Sequence, residues 1–535
     1  MTIAARVTRL RRVPFVVGLC ALFMAFGSTP VFADTPSSGG DVAVAQTLGD
    51  RDLTIVLRRV TAVPGPLRVD VVTHTGSLAG RLSMSVTPTG SDSGSSALPA
   101  PGAPTARGSV LLGQTPGTYS TTMAVDRPGP WELAVGDGLY TARIPFVVST
   151  QAVSPAENLV YGGFIAAGVL LLVSVVVATR SRRSGWVLLP VGGTLTGLAV
   201  ALTAAALTTS LPLPPQPGSQ RDPTVGNATN PYALSQPLVT DYSRPPVLLT
   251  LDGAPLTAGR PGDIGLDLVD AATGVPVDDL VVHDSALIHL LVVGPTGRIW
   301  HLHPIRIAPG RFQVHLSLPE AGHYAVSAEL VRRGGGVQLV RSAPGLEVLP
   351  SAGPPSAEPT VTPVRLGDGP MSASTAVDAT SITVVTTEPV AGQPVTVGAR
   401  VGDTADLQPW LGMVGHLIVA GPLPPGSPPV GTAVQNAPVW AHAHSMGGPL
   451  PMPGMGGMAG MADMGGGNSG MIGMAPVNGD SAPDETVAAY GPDVPFTFTF
   501  PVAGQYRLWI QVELHYTLLT VPIVLDVAAA GGMSR

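Results

Sequence analysis

The chain contains no lysine; all 28 of its basic residues are arginine. In a sequence so rich in Ala, Gly and Pro, that bias reads as the codon usage of a high-GC genome rather than as a function. Charged residues make up only 12% of the 535, and no stretch forms a basic patch suited to nucleic acid. There is one cysteine, Cys20, and it falls in a leader segment. Without it the chain has no disulfide and no thiolate. This excludes Cys-type zinc sites, cysteine nucleophiles and a blue-copper His/Cys centre. The composition is also poor for long soluble helices: Gly (66) and Pro (56) suit short strands joined by turns.

Residues 1–33 carry the parts of a signal peptide. Arg6, Arg9, Arg11 and Arg12 give a basic start, Val13 to Phe26 an apolar middle, and Val31-Phe32-Ala33 a small residue for cleavage before Asp34. Two uncharged apolar runs follow at 159–179 and 186–208, each long enough to cross a hydrocarbon core of roughly 30 Å. The loop between them, Arg180-Ser181-Arg182-Arg183, is basic and belongs in the cytoplasm. Leader and loop agree on one topology: a membrane protein whose N-terminal and C-terminal parts both lie on the extracytoplasmic side. Gly162, Gly163, Ala167, Gly192, Gly193 and Gly197 are expected to let the two helices approach closely. Neither run carries an ionisable residue, so a transport path through this hairpin alone is not expected.

The rest reads as strands. A first β domain occupies 34–150, a Pro-rich linker 209–245, a second β domain 246–350, a linker 351–370 and a third β domain 371–528. The second and third look like copies of one unit. Ala258-Gly259-Arg260-Pro261 matches Ala391-Gly392-Gln393-Pro394. Leu318-Pro319-Glu320-Ala321-Gly322-His323-Tyr324 matches Phe500-Pro501-Val502-Ala503-Gly504-Gln505-Tyr506, and Pro128-Gly129-Pro130-Trp131 is a looser third version. Such a phrase is a β-sandwich corner, not a site. The expected fold class is mainly β: three Ig-like or cupredoxin-like β-sandwiches plus a two-helix transmembrane hairpin.

Six of the eleven histidines recur in these copies. His289 opens an apolar strand and is followed by Trp300, His301 and His303. His416 opens another and is followed by Trp440, His442 and His444. On a strand, residues i and i+2 face one side, so each His-x-His presents two imidazoles together. Same-face imidazoles suit Cu(II), Zn(II) or Ni(II), with His289 and His416 as third ligands. Parity is an obstacle. A plain hairpin centred on Pro295-Thr296 would pair 289 with 302 and turn His289 away from His301 and His303. A bulge or an odd-length turn is therefore expected. His315 and His323 are weaker alternatives, because the third domain has no counterpart for either. His74, alone in the first domain, is assigned no role. One His-x-His in a β protein is more often structural than metal-binding, and shared ancestry alone can preserve a repeated one.

A second candidate follows His444: Met446, Met452, Met455, Met458, Met461, Met464, Met471 and Met474, set among Gly, Pro and Ala. The glycines rule out a stable helix, so this is expected to be a loop of thioethers, and soft sulfur selects Cu(I). The bland alternative is low-complexity filler.

With the pattern from Leu287 to Pro304 and from Leu318 to Tyr324 in view, the second domain resembles exported bacterial β-sandwich domains described as YtkA-like or FixH-like. The third looks like a diverged copy with Ser445 where that pattern has Pro. The first resembles CopC-type copper-resistance domains, although its expected mature start, Asp34-Thr35, lacks their histidine. The resemblance implies copper handling by association. The expectation is thus a membrane-anchored copper-binding protein for buffering, resistance or delivery, with zinc as a second metal. Its expected partners are an exported cuproenzyme or a copper transporter, and no nucleic acid. The alternative is an exported scaffold or partner-binding module whose histidines are structural. An enzyme is not expected: Glu320 and Glu513 are isolated carboxylates, and no Glu follows either His-x-His closely.

Overall fold

The computed structural model describes residues 41–60, 63–89, 104–148, 155–181, 184–208, 246–332, 336–352, 362–424, 429–450 and 484–530. The leader and the methionines from Met452 to Met474 lie outside the described residues, as do Arg182, Arg183, the linker 209–245 and residues 353–361 of the second linker.

The described chain is mainly β, in three sandwiches and one helix pair. The strands follow from period-two patterning. In Gly80–Pro88, Leu82, Met84 and Val86 point into the core while Arg81 and Ser83 do not. The first sandwich faces two four-stranded sheets across a core that includes Ile55, Val69, Trp131 and Ile144. The second and third each combine a four-stranded sheet with a larger one, of seven and six strands. Val364–Leu366, preceding 371, pairs in parallel with Thr517–Val527 and so belongs to the third sandwich.

The repeated corner phrase has one physical role in all three. The Tyr324 hydroxyl donates to the Glu320 carbonyl at 2.9 Å and the Tyr506 hydroxyl to the Val502 carbonyl at 2.7 Å. The Trp131 indole donates to the Arg127 carbonyl at 3.1 Å. Each aromatic body is fully buried, and its polar handle ties off the turn four residues back.

Two helices, α1 (Pro155–Arg180) and α2 (Leu188–Thr208), form the hairpin, and both are long and apolar enough to cross a membrane. A Cβ on Gly163 would meet the Gly197 carbonyl at 2.8 Å, and one on Gly197 would meet the Ala167 nitrogen at 3.1 Å. Gly193 abuts Leu170 in the same way. Gly162 and Gly192 were expected at this contact, but each has open space around it. One helix face of small residues suffices for close approach, and these two lie off it.

The strand His289–Val293 explains how the second and third sandwiches meet. Every residue in it is buried. Leu290 and Val292 enter the core of the second sandwich, as alternation requires. Leu291 and Val293 face the other way and pack with Ile299 and Ala325 against Ile418, Ala420 and Trp509 of the third. A strand apolar on both faces needs cover on both. The two larger sheets therefore pack back to back, and the histidines lie on the same faces as this apolar contact.

Candidate metal centre

The first trio is aligned by an odd-length turn. Gly294 and Arg298 close a loop of Pro295, Thr296 and Gly297, with the Gly294 N–H donating to the Arg298 carbonyl at 2.8 Å. Gly297 supplies the left-handed residue such a loop needs, at φ +89°. The register pairs Leu290 with Leu302 and Leu291 with His301, which carries His289 opposite His303 and turns all three imidazoles to one face. The parity obstacle is removed in the way expected. In the third sandwich His416 pairs with His444 and Ile418 with His442, giving the same arrangement.

The two trios form one cluster. Ligand nitrogens within each lie within 4.8 Å of one another. Between them, the ring centroids of His301 and His442 are 5.1 Å apart, of His289 and His442 5.5 Å, and of His301 and His416 5.6 Å. The imidazoles of His442 and His444 are as buried as the rest, although their main chain lies on the sheet's edge strand Val439–Ser445. Trp410 stands edge-on to His301 at 5.0 Å and to His416 at 5.1 Å.

The hydrogen bonds set the tautomers. His289 Nε2 donates to the His283 carbonyl at 3.0 Å, and His301 Nδ1 donates to Gln511 Oε1 at 3.0 Å. The remaining nitrogens, His289 Nδ1 and His301 Nε2, then face each other at 3.1 Å with a lone pair on each. The third sandwich repeats this in part. His416 Nε2 donates to the Trp410 carbonyl at 3.0 Å, whereas His442 Nδ1 makes no hydrogen bond and has Glu329 Oε1 3.5 Å away. His416 Nδ1 and His442 Nε2 face each other at 3.1 Å. Opposed lone pairs repel unless a cation lies between them. A proton is disfavoured, because burial in the company of other imidazoles holds His289 down to about 3. His301, His303, His416 and His444 are held well below the ordinary histidine range by burial first and by neighbouring imidazoles second. Two nitrogens bound to one metal at about 2.0 Å in tetrahedral geometry are about 3.3 Å apart, close to the separation here. His303 Nε2 and His444 Nε2, the third nitrogens of the trios, are buried with no hydrogen-bond partner. The donor set fits a nitrogen-binding metal ion.

The outer contacts correspond as well. Glu329 is cross-strand from His289, and Gln511 is cross-strand from His416. Each reaches over to the other sandwich's His-x-His, as oxygen acceptors behind metal-bound imidazoles do. The first sandwich seals one side. The Thr47 N–H donates to the His303 carbonyl at 2.8 Å, the His303 N–H to Thr47 Oγ1 at 2.9 Å, and the Ala45 N–H to the Ser285 carbonyl at 2.7 Å.

Of the methionine tract, Met446 alone is described; its side chain is exposed, and it is not among the donors the fold gathers. The two tryptophans are not equivalent. Trp300 packs on the core of its own sandwich and Trp440 on the contact between sandwiches. One sits one residue before its histidine and the other two, so they face opposite ways. His315 and His323 lie apart from the cluster, bonded to Asp263 at 2.7 Å and Glu347 at 2.5 Å. Glu320 caps the turn at Thr296. Glu513 binds His74 Nδ1 at 2.5 Å across the junction of the first and third sandwiches. Sequence reasoning missed His283, Asp284, Glu329, Trp410 and Gln511. A signal existed for some: His283 and Trp410 each stand six residues before the first histidine of a trio, and Glu329 and Gln511 five after the corner tyrosine.

No protein-family model matches the chain, and no curated protein matches it at a significant level. Among solved structures, the Escherichia coli adhesin FdeC aligns over 92% of this chain and 98% of its own at 10% identity and a TM-score of 0.14. A tetra-tandem repeat from the extending region of a large adhesion protein aligns over 92% and 75% at 9% identity, also with a TM-score of 0.14. Invasin, a bacterial integrin-binding protein, aligns over 92% and 60% at 9% identity and 0.13. Scores this low lend no weight to any functional assignment.

Proposed function

We propose that this chain is a metal-binding protein carried on a two-helix membrane hairpin, holding its metal between the second and third sandwiches. His289, His301 and His303 supply one set of donors and His416, His442 and His444 the other. The observation that carries this reading is the pair of opposed ring nitrogens, 3.1 Å apart in each sandwich, whose partner nitrogens already face oxygen acceptors. An all-imidazole set suits Cu(II), Zn(II) and Ni(II), and copper(II) binds most strongly among the divalent first-row ions. Copper is therefore the first candidate and zinc the second. The methionine tract adds a Cu(I)-selective element, and the resemblance to exported copper-associated sandwiches agrees with it. The role would be copper buffering, resistance or delivery on the extracytoplasmic side, to an exported cuproenzyme or a copper transporter.

A second reading has its own support. His301 bonds Gln511 across the contact between sandwiches, and the first sandwich binds the His303 main chain. The histidines would then lock three sandwiches into a rigid exported scaffold that engages another protein.

Metal analysis of the full chain purified in detergent from its own membrane, with copper and zinc titrations followed by Trp410 fluorescence, separates the two. Submicromolar binding lost when the six histidines are replaced supports the first reading. No binding tighter than micromolar, with the three sandwiches intact, leaves the scaffold.

A further inference from the structure

The correspondence between the two trios breaks in the residues around them. Where the third sandwich has Trp410, Leu411 and Gln511, the second has His283, Asp284 and Glu329. The turns are the same: Asp284 and Ser285 have φ of 46° and 57°, and Leu411 and Gly412 have 54° and 76°. The fold is therefore made equally well by an apolar side chain and an amide, and it does not require the two carboxylates.

Both carboxylates are buried, with Asp284 and Glu329 each only 4% exposed. Neither oxygen of Asp284 has a hydrogen-bond partner, and neither does His283 Nδ1. Donor atoms of His283, Asp284 and Glu329 lie within 4.8 Å of one another. His283 Nε2 is 3.0 Å from Asp284 Oδ2 and 3.9 Å from Glu329 Oε1. His444 Nδ1 approaches Asp284 Oδ2 at 3.3 Å, and His442 Nδ1 approaches Glu329 Oε1 at 3.5 Å. Among the described residues, every ion-pair contact to these carboxylates comes from an imidazole, never from an arginine. Two buried carboxylates with no fixed cation are strongly unfavourable unless something positive joins them.

We propose that His283, Asp284 and Glu329 form a second metal site, distinct from the histidine trios and harder in its donors, for an oxygen-preferring divalent cation such as Mn(II). Carboxylate-rich donor sets favour such ions, whereas an all-imidazole set holds Mn(II) weakly, since manganese stands lowest in the divalent series. The site shares a wall with the trios, because its carboxylates touch His442 and His444, but it does not depend on the trios binding metal.

Mn(II) alone is the probe. The full chain in detergent is equilibrated with Mn(II) and desalted, and retained manganese is measured by electron paramagnetic resonance and elemental analysis. One Mn(II) per chain is expected, retained in H301A, which leaves His283, Asp284 and Glu329 untouched. D284N is expected to weaken it at least tenfold. Asn adopts the left-handed backbone of position 284 readily, so the turn survives. E329Q places at 329 the residue that the third sandwich already uses there, and it should weaken Mn(II) to a similar degree while keeping an acceptor for His442. Copper titration of D284N separates this site from the trios: loss of manganese with copper retained supports it. No Mn(II) held by the wild-type chain, or Mn(II) held equally by D284N and E329Q, overturns the proposal whatever copper does.

Discussion

His301 and Gln511 are joined by a 3.0 Å hydrogen bond although 210 residues separate them in the chain. The mirrored contact, His442 to Glu329 at 3.5 Å, closes the other side. Gln511 thus orients His301, and Glu329 stands in the corresponding place beside His442. Gln511→Leu removes the acceptor behind His301 only. The expected result is a 10–100-fold loss of affinity at the first trio, the usual cost of losing such a partner. The second trio should be little affected. A two-step copper titration in which only one step moves is the readout; an unchanged titration would mean that Gln511 does not position His301.

His74 and Glu513 bind the first sandwich to the third. Burial lowers the His74 pKa, but the Glu513 carboxylate, by hydrogen bond and charge, outweighs it and raises the imidazole to about 9. A histidine charged in the fold and titrating near 6.5 when unfolded gives stability that is fully present below pH 6.5. That stability is lost as pH rises through about 9. Burial raises Glu485 beside it to about 7, which acts in the same direction. Urea unfolding should therefore show stability falling between pH 6.5 and 9. His74→Ala, which leaves Glu513 buried and unpaired, should cost about 3–5 kcal/mol and flatten that slope. A slope unchanged in the variant would contradict the assignment.

The corner hydroxyls give a simpler test. Tyr506→Phe removes only the bond to the Val502 carbonyl in a fully buried setting. The expected loss is about 1 kcal/mol, with Tyr324→Phe the same in the second sandwich. Denaturant midpoints measure it, and a change near zero at both positions would show that water replaces the hydroxyl.

In the hairpin, Gly163→Leu and Gly197→Leu place side chains against the facing helix, whereas Gly162→Leu faces open space. The first two should lower the thermal stability of the detergent-purified chain, and the third should not. Equal effects at all three would mean that the helices do not pack through this face.

Much of this architecture was legible in the sequence. Alternating runs gave the strands, and the Pro-x-x-Gly-x-Tyr phrase gave the corners. The parity of 289, 301 and 303 gave the need for an odd turn, because strand geometry has a period of two that residues on one strand cannot evade. The meeting of the two trios was not legible. Pairing within a sandwich follows from local pattern, but the face one sandwich shows another depends on apolar residues spread over distant strands, here Leu291, Val293, Ile418 and Trp509. Glu329 and Gln511 escaped for the same reason: each becomes part of the site only once its strand is set beside the histidine strand. His283 and Asp284 lie on a turn whose one sequence signal is the six-residue spacing to His289, which Trp410 shares with His416. The methionine tract, the plainest copper signal in the sequence, adds only the exposed Met446 to the described structure.

X-ray absorption at the copper edge, on the full chain loaded with copper and freed of excess, tests the central claim most directly. The account predicts a first shell of imidazole nitrogens at about 2.0 Å, with the outer-shell scattering of histidine rings, lost when His289, His301, His303, His416, His442 and His444 are replaced. A first shell of sulfur alone, or a spectrum unchanged by the six substitutions, would contradict it.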